Sequence, residues 1–291
     1  MSPYGEAGVN GEAGVGGGEE TGRKNVTLIV KAANIDPSRI GADLFCQEFW
    51  MELYALYELG LLKVDIKAAN VNSEAFKRNF LGSQPPILVE PEKGLTYTDN
   101  RDLESRIFHL AKEFGIPLFE KDLVVETKIE NLYRNFKIFL RSKTDAEKSG
   151  QKSSDGSLPA SVQPSYNKVI EQLTGINALL RERGTRYLLG PSMTEYDCEL
   201  MPRLHHIRVA GLSLCGFEIP ADLLHLWAYL LTTYRTAAFI ESCPADQDII
   251  YHYKEQLNVV GGRSRESLQK PTKTHTIPEE ALAEIQRLGL T

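Results

Sequence analysis

The sequence predicts two domains, an α/β domain with a mixed four-stranded sheet and an all-helical domain that follows it. Short β-branched or apolar runs alternate with helical patterns as far as residue 117, and no later stretch has the pattern of a strand. The chain has 291 residues, of which 42% are hydrophobic. That length and composition are sufficient for two hydrophobic cores of ordinary size.

The first strand, turn and helix lie within residues 25–62. Val26 to Val30 is short and almost wholly apolar, as in a strand that is buried on both faces. A turn with Gly41 follows, and helical periodicity begins at Asp43. A strand, a turn and a helix with candidate reactive side chains in its first turn is how thioredoxin-like domains begin. We therefore predict a thioredoxin-like domain over residues 25–117.

The rest of this domain is predicted to add three strands and two helices. A βαβ unit pairs its strands in parallel, and the ββα unit that follows adds antiparallel strands. Pro86 leads into the third strand and is a candidate for a cis peptide bond, because only X-Pro bonds adopt cis at low cost. The predicted elements are a strand at 62–68, a helix at 73–81, strands at 85–90 and 95–98, and a helix at 101–114.

The second domain, over residues 122–260, is predicted to be helical throughout. One helix begins at Thr194, which forms a capping box with Asp197 three residues later. The polar tract 141–164 is predicted to be a mobile loop, since it is long and lacks an apolar pattern. The predicted helices cover 122–141, 165–183, 194–214, 221–241 and 246–257.

Both ends of the chain extend beyond these domains. Residues 1–24 contain a repeated Gly-rich hexapeptide and are predicted to be a disordered tail, because so many glycines lose too much entropy on ordering. Residues 261–291 form a C-terminal extension. Pro278 followed by two acids predicts a short helix near its end.

The charge balance argues against nucleic-acid binding. The net charge is -6, and no basic stripe is present to neutralise phosphates. The N-terminus lacks the basic and then apolar pattern of a secretory signal, so we expect a cytoplasmic protein.

The cysteines predict free thiols and no metal site. His205 and His206 are adjacent, and neighbours on a helix point about 100° apart, so this pair is not expected to bind one metal ion. No Cys-x-x-Cys pair and no zinc-type spacing occurs. The four cysteines are Cys46, Cys198, Cys215 and Cys243.

Five motifs in order resemble the chloride intracellular channel family, relatives of the omega-class glutathione transferases. The resemblance covers about residues 25–258 and implies a glutathione-transferase-like fold, with departures typical of an invertebrate member. The motifs are Gly-Ala-Asp-Leu-Phe-Cys-Gln-Glu at 41–48, Pro-Pro-Ile-Leu at 85–88, Tyr-Thr-Asp at 97–99, Thr-Glu-Tyr-Asp-Cys-Glu-Leu-Met-Pro-Arg-Leu-His at 194–205 and Ser-Cys-Pro-Ala-Asp-Gln-Asp-Ile at 242–249.

The thiol site of the family is altered at Asp43. The matching family position is usually a cysteine at a helix N-terminus, where free N–H groups favour a thiolate. A carboxylate cannot form a mixed disulfide with glutathione, and the local pattern predicts that Asp43 is a helix N-cap worth about 1 kcal/mol. Cys46 matches the family's second position, but the nearby carboxylate disfavours its thiolate. We predict a vestigial thiol site, with Cys46 either a reactive thiol or a plain first-turn residue.

The resemblance also implies a vestigial glutathione cleft. In glutathione-binding relatives the positions of Pro86 and Asp99 hold the backbone and the γ-glutamyl amine of the peptide. A helix cap is the local alternative for Asp99, and both roles are compatible. The predicted cleft residues are Phe45, Pro85, Pro86, Thr98 and Asp99. Because Asp43 replaces the cysteine, redox catalysis is not expected and no cofactor is predicted, with weak glutathione binding in this cleft as the alternative.

A membrane segment is implied at Asp43 to Val64. Its 22 residues are long enough to span a bilayer, but Glu48, Glu52 and Glu58 interrupt it. We predict that Glu48 and Glu52 share an exposed polar face in the folded protein. Insertion then requires their protonation at low pH, or an assembly in which this face lines water.

Three functions fit these observations. The first is a chloride intracellular channel-like protein with a membrane-associated form, whose partners are membrane lipid and further copies of itself, acting in ion transport or in membrane and tubule organisation. The second is a glutathione-dependent thiol oxidoreductase or transferase that uses Cys46. The third is a non-catalytic binding module that docks proteins through loop 141–164 or the C-terminal extension.

Overall fold

The first part of the chain folds around a mixed four-stranded sheet. The computed structural model describes residues 23–151, 157–259 and 270–290. The sheet order is β2-β1-β3-β4, with β1 and β2 parallel and the other two pairs antiparallel, which confirms the predicted topology. The strands are β1 Lys24–Lys31, β2 Leu62–Ala69, β3 Ile87–Glu90 and β4 Leu95–Tyr97.

The predicted N-terminal tail lies almost wholly outside the described residues. Its last residue, Lys24, opens β1 and pairs with Leu62 of β2, so the tail was predicted one residue too long. The strand starts earlier than its apolar run because the backbone ladder extends to a polar residue whose side chain is half-buried.

Three helices pack with this sheet, and each begins at a polar side chain that accepts a backbone hydrogen bond. These N-caps are Asp43, Ser73 and Asp99, which satisfy N–H groups that have no partner inside the helix. The predicted cis peptide bond at Pro85-Pro86 is confirmed. The helices are α1 Leu44–Glu58, α2 Glu74–Asn79 and α3 Asn100–Glu113.

The second part of the chain is helical in all of its regular elements that the structure describes. The capping box between Thr194 and Asp197 is confirmed, and the Asp197 carboxylate also accepts hydrogen bonds from the Leu188 N–H at 3.0 Å and the Tyr229 hydroxyl at 2.8 Å. The helices are α4 Leu123–Ile129, α5 Leu132–Lys148, α6 Gln163–Arg183, α7 Glu195–Cys215, α8 Leu224–Thr233, α9 Ala237–Ser242, α10 Asp246–Gln256 and α11 Glu279–Leu288.

Two predicted helices are each divided into two. The predicted helix at 122–141 breaks between α4 and α5, and the one at 221–241 breaks between α8 and α9. In the second break the backbone of Thr236 is extended, while its hydroxyl donates to the Thr232 carbonyl at 2.9 Å. Threonine side chains that bond to nearby carbonyls compete with regular helix geometry, which the apolar pattern alone does not reveal.

The loop predicted at 141–164 is wrong over its first eight residues. Helix α5 continues to Lys148, because Ala146 is buried in the helical core while the polar residues around it keep the outer face of the helix in solvent. Residues 152–156 lie outside the described part of the chain, and the mobility of the shortened loop stays a prediction.

Helix α1 contributes to two hydrophobic cores. Phe49 and Leu53 pack with β1 and α3 in the core of the α/β domain. Met51 belongs to the core of the helical domain, because α1 also packs against α7 and α9. The helix is therefore covered by the sheet on one side and by the second domain on the other.

The C-terminal extension packs against the helical domain where it is described. Ala281 and Ile285 of α11 are buried in the helical core, and α11 packs against α8. The predicted short helix is confirmed. The segment before it crosses α10, since the Asp246 N–H donates to the Thr272 carbonyl at 2.8 Å.

Candidate functional site

The turn after β1 brings the start of α1 close to the end of that strand. The Gly41 N–H donates to the Lys31 carbonyl at 2.7 Å, and a Cβ atom at this position would lie only 2.8 Å from the Ala32 carbonyl oxygen. A side chain larger than glycine's therefore does not fit without moving the backbone. Asp43 follows two residues later as the N-cap of α1, and its carboxylate accepts a hydrogen bond from the Cys46 N–H at 3.0 Å.

Cys46 is buried beside this cap. Its side chain accepts a hydrogen bond from the Lys31 N–H, with 3.4 Å between N and Sγ. Burial raises the pKa of the thiol well above 9.0, and the Asp43 carboxylate raises it further. A reactive cysteine needs a low pKa and solvent access, and Cys46 has neither. The geometry therefore favours the plain first-turn reading over the reactive thiol.

A small cavity next to Asp43 is closed by α10. Its lining comprises residues 31–35 and 41–43 on one side and Asp248, Tyr251 and His252 on the other. Its volume is about 20 Å³, which is room for about one water molecule. Pockets that enclose small organic ligands measure roughly 300 Å³ or more. The cavity is too small for a tripeptide such as glutathione.

None of the predicted glutathione-cleft residues lines this cavity. Phe45 is 46% exposed, and Pro85 and Pro86 are buried. Asp99 caps α3 by accepting a hydrogen bond from the Arg101 N–H at 2.9 Å, and Thr98 beside it is exposed. Their role in glutathione binding stays a prediction.

The acids of α1 do not form the exposed polar face that the sequence predicts. Glu52 is only 1% exposed, and the Glu48 side chain is 16% exposed, whereas Glu58 is exposed to solvent. The periodicity of α1 identified the side that packs on the sheet, but the opposite side is covered by α7 and α9 of the helical domain. The expectation was wrong because docking of the second domain buries the polar side of the helix.

The two buried acids have different partners. The Arg203 guanidinium of α7 donates to Glu48 at 3.3 Å, while Glu52 Oε2 has no hydrogen-bond partner among the described residues. Burial raises the pKa of Glu48 to about 7, although Arg203 opposes that rise. Burial raises the pKa of Glu52 well above 4.5, and the nearby Glu48 adds to the effect. The interface between the domains therefore holds two carboxyl groups that bind a proton at higher pH than an exposed glutamate does.

Within the described ranges, no helix combines the length and the apolarity that crossing a membrane requires. The predicted segment Asp43 to Val64 is divided between α1, a turn at Gly60 and the first residues of β2.

Comparison with known proteins gives close relatives. No protein-family model matches the sequence. The chain is 65% identical over 274 residues to chloride intracellular channel exc-4 of Caenorhabditis elegans, with 94% of each chain covered. It superposes on the crystal structure of the C. elegans chloride intracellular channel homologue EXC-4 with a TM-score of 0.88 and 66% identity, over 93% of this chain and 100% of the other.

The wider fold extends beyond these relatives. A glutathione S-transferase from the Antarctic clam Laternula elliptica superposes with a TM-score of 0.52 at 12% identity, over 81% of this chain and 100% of that chain. This likeness shows the shared glutathione-transferase-like fold alone. The identity to the C. elegans protein, in contrast, extends along nearly the whole sequence. The chain belongs to the chloride intracellular channel family.

Proposed function

We propose that this chain associates with membranes from the cytoplasm and acts there in ion transport, through a rearranged form in which α1 and the residues after it leave the folded domain. The observation that carries the proposal is the 65% identity to a chloride intracellular channel over 94% of the chain. The buried, largely protonated thiol of Cys46 argues against the alternative of glutathione-dependent thiol catalysis.

The length of α1 defines what such a rearrangement must involve. Helix α1 has 15 residues and so measures about 22 Å, less than the roughly 30 Å of a bilayer's hydrocarbon core. The whole segment Asp43 to Val64 measures about 33 Å as one continuous helix. To form a helix of that length, the turn at Gly60 and the first residues of β2 must become helical. Insertion therefore requires both hydrophobic cores to open.

The acids of the segment determine the free-energy cost of placing it in a bilayer. An ionised acid near the middle of a bilayer costs about 3 kcal/mol, whereas each Leu or Phe contributes about 0.3–0.6 kcal/mol. Glu48 and Glu52 lie four residues apart and so share one side of a helix. Several copies that turn this side toward a common water-filled lumen would avoid the bilayer cost. Self-association in the membrane is therefore part of the proposal.

Liposome flotation tests the membrane step. The full-length chain is mixed with anionic phospholipid vesicles at pH 7.5 and pH 5.0, and lipid-bound protein is measured after centrifugation. We expect more bound protein at pH 5.0, because protonated acids enter the bilayer at lower cost. Chloride efflux from the same vesicles then measures transport. A chain that stays in the aqueous fraction at both pH values would contradict the proposal.

A matched pair of substitutions identifies the inserting segment. Glu58 is exposed in the folded protein, so Glu58→Gln leaves the buried interface intact while it removes an ionised group from the segment. Glu126 is an exposed acid on α4, outside the segment, and Glu126→Gln is the control. We expect Glu58→Gln to increase the bound fraction at pH 7.5 and Glu126→Gln to leave it unchanged. Equal effects would show that general surface charge, rather than this segment, controls binding.

A further inference from the structure

Three metal-binding side chains from distant parts of the sequence meet inside the helical domain. His205 lies in the middle of α7, Cys243 directly follows α9, and His275 belongs to the C-terminal extension. One ligand atom from each lies within 4.8 Å of those of the other two. This cluster lies apart from the Asp43 cavity, whose lining contains none of the three residues.

The two imidazoles have nitrogen atoms without partners. Nε2 of His205 and Nε2 of His275 are buried and make no hydrogen bond within the described part of the chain. A buried polar atom without a partner costs roughly 1–3 kcal/mol, so such atoms are uncommon and require an explanation. A metal ion bound to these nitrogens would supply one.

The other nitrogen of His205 has a hydrogen-bond partner, as the second ring nitrogen of metal-binding histidines commonly does. Its Nδ1 lies 3.2 Å from the Tyr234 hydroxyl, and that hydroxyl oxygen also accepts a hydrogen bond from Arg208 at 2.8 Å. Metal-binding histidines commonly donate their second ring N–H to such an acceptor, which fixes the tautomer with a free Nε2 lone pair.

The carboxylate of Asp246 lies beside the three metal-binding side chains. Asp246 Oδ1 lies 3.8 Å from His205 Nε2, too far for a hydrogen bond but next to the cluster. The carboxylate is fixed in place, because it accepts hydrogen bonds from the Thr274 N–H at 3.2 Å, the Thr274 hydroxyl at 2.7 Å and the Thr272 hydroxyl at 3.3 Å. Both threonines belong to the C-terminal extension, which the cluster thus joins to α7 and α10.

We propose that His205, Cys243 and His275 bind one Zn²⁺ ion, with a water molecule as the fourth ligand beside Asp246, and that the ion fastens the C-terminal extension to the helical domain. Two imidazoles and one thiolate suit Zn²⁺, whereas Ca²⁺ and Mg²⁺ prefer sites made of oxygen ligands alone. Zn–N bonds of about 2.0 Å and Zn–S bonds of about 2.3 Å separate tetrahedral ligand atoms by roughly 3.3–3.6 Å. Since the three ligand atoms lie within 4.8 Å of one another, they need to approach by up to about 1.5 Å when the ion binds.

Binding also displaces a proton from the thiol. Cys243 Sγ donates weakly to the Pro244 carbonyl at 3.4 Å. A metal ligand must be the thiolate, so Zn²⁺ releases one proton from Cys243 and the affinity rises with pH.

The full-length chain, treated with a chelator and dialysed, provides the first test. Titration with Zn²⁺ against a zinc-sensitive dye at pH 7.5 is expected to show one tightly bound ion per chain. Co²⁺ in place of Zn²⁺ is expected to give a thiolate-to-cobalt charge-transfer band, because Cys243 is a ligand. Absence of stoichiometric Zn²⁺ binding, or a cobalt complex without this band, would overturn the proposal, and neither measurement depends on a variant that folds.

Matched substitutions locate the ion. His275→Gln and Cys243→Ser are each expected to weaken Zn²⁺ binding at least tenfold, since each removes a ligand. The controls are His109→Gln, on the exposed side of α3, and Cys215→Ser, at the end of α7. Both controls should bind Zn²⁺ as the unmodified chain does. Circular dichroism verifies that each variant is folded, and a folded His275→Gln chain with undiminished affinity would overturn the proposal.

Discussion

Asp43 accepts a hydrogen bond from the Cys46 N–H, so its carboxylate occupies the position at which a thiol would gain most from the helix N-terminus. Cys46, one turn further on, faces inward and is buried against β1. The side chain at position 43 therefore decides between a cap and a reactive group. The close approach of the backbone at Gly41 positions the start of α1 in the same way for either side chain.

The replacement Asp43→Cys is expected to create a reactive thiol. A cysteine here would lie at the free N–H groups of α1, which favour a thiolate, and would attack oxidised glutathione to form a mixed disulfide and release one glutathione thiolate. We expect its rate of modification by oxidised glutathione, measured by mass spectrometry, to exceed that of the unmodified chain at least tenfold.

Asp43→Ser is the control for this experiment. A serine keeps a side-chain oxygen at the N-cap but supplies no thiol, so it should change stability by less than about 1 kcal/mol and remain unmodified. Equal modification of the Asp43→Ser chain and the Asp43→Cys chain would show that another cysteine reacts, and would contradict the assignment.

These residues differ in how far the sequence reveals their roles. The cap at Asp43 depends on neighbours three residues away, and sequence reasoning predicts it correctly. The burial of Glu52 depends on α7, about 150 residues later, and no local pattern reports that contact. The apolar residues on both sides of α1 were the available signal, because a helix that is apolar nearly all round is buried nearly all round. The proximity of His205, Cys243 and His275 was not predicted, because spacing rules for metal sites address ligands that are close in sequence.

Helix α1 is the element that both domains share. It supplies Phe49 and Leu53 to one core and Met51 to the other. Its two buried acids reduce the stability of this arrangement, because an ionised carboxylate loses hydration without full compensation. An element that is stabilised by two cores and weakened by buried acids is suited to a protein that is proposed to release it.

The substitution Glu52→Gln is expected to stabilise the folded protein at neutral pH. Burial raises the folded-state pKa of Glu52 well above 4.5. The folded protein binds this proton more tightly than the unfolded chain does, and this stabilises the folded protein. The stabilisation is complete below about pH 4.5 and is lost as the pH rises through the folded-state pKa. Glutamine has no such loss. We expect the variant to be about 1–3 kcal/mol more stable than the unmodified chain at pH 7.5, and the difference to shrink toward pH 5.

Urea unfolding at pH 7.5 and pH 5 measures this difference. Glu58→Gln is the control, since this acid of the same helix is exposed and its replacement should change stability by about 0.5 kcal/mol or less at either pH. A Glu52→Gln chain without added stability at pH 7.5 would mean that the carboxyl group has a favourable partner, and the account of the interface would then be wrong.

The ends of the elements were harder to predict than their existence. The order of strands and helices around the sheet follows from apolar runs and turn residues, and it is confirmed. The extension of α5 to Lys148 was missed because a helix with a single small buried residue, Ala146, in its last turns looks like a polar loop. The separation of α8 from α9 was missed because hydrogen bonds from threonine hydroxyls leave no periodic signal.

Ion pairs and hydrogen bonds connect the two domains around α1. Arg39, in the turn after β1, donates two hydrogen bonds to Asp248 of α10, at 2.8 and 2.9 Å. Asn34 of the same turn donates to Glu255 near the end of α10. These contacts hold α10 over the start of α1, and the pair between Glu48 and Arg203 joins α1 to α7. We call the contacts from Arg39 and Asn34 to α10 the domain clamp. These contacts must break before the proposed membrane segment can leave the folded protein.

Arg39→Gln is therefore expected to weaken the docking of the two domains. Asp248 is 4% exposed, and burial raises its pKa above 3.8 although Arg39 opposes the rise. Without the guanidinium, the buried carboxylate has lost its cation, which typically costs about 3–5 kcal/mol. This loss is fully present at neutral pH and shrinks as the pH falls through the raised pKa, because the protonated acid carries no charge. Urea unfolding at pH 7.5 and pH 4.5 measures both effects.

The double substitution of Arg39→Gln with Asp248→Asn separates the ion pair from the fold. It removes both charges, so most of the stability lost in Arg39→Gln should return. Arg287→Gln is the control, since Arg287 pairs with Glu284 on the exposed side of α11, and surface pairs contribute about 1 kcal/mol or less. If Arg39→Gln also increases the vesicle-bound fraction, the domain clamp restrains membrane association. A destabilised Arg39→Gln chain that binds vesicles no better would show that this ion pair does not limit insertion.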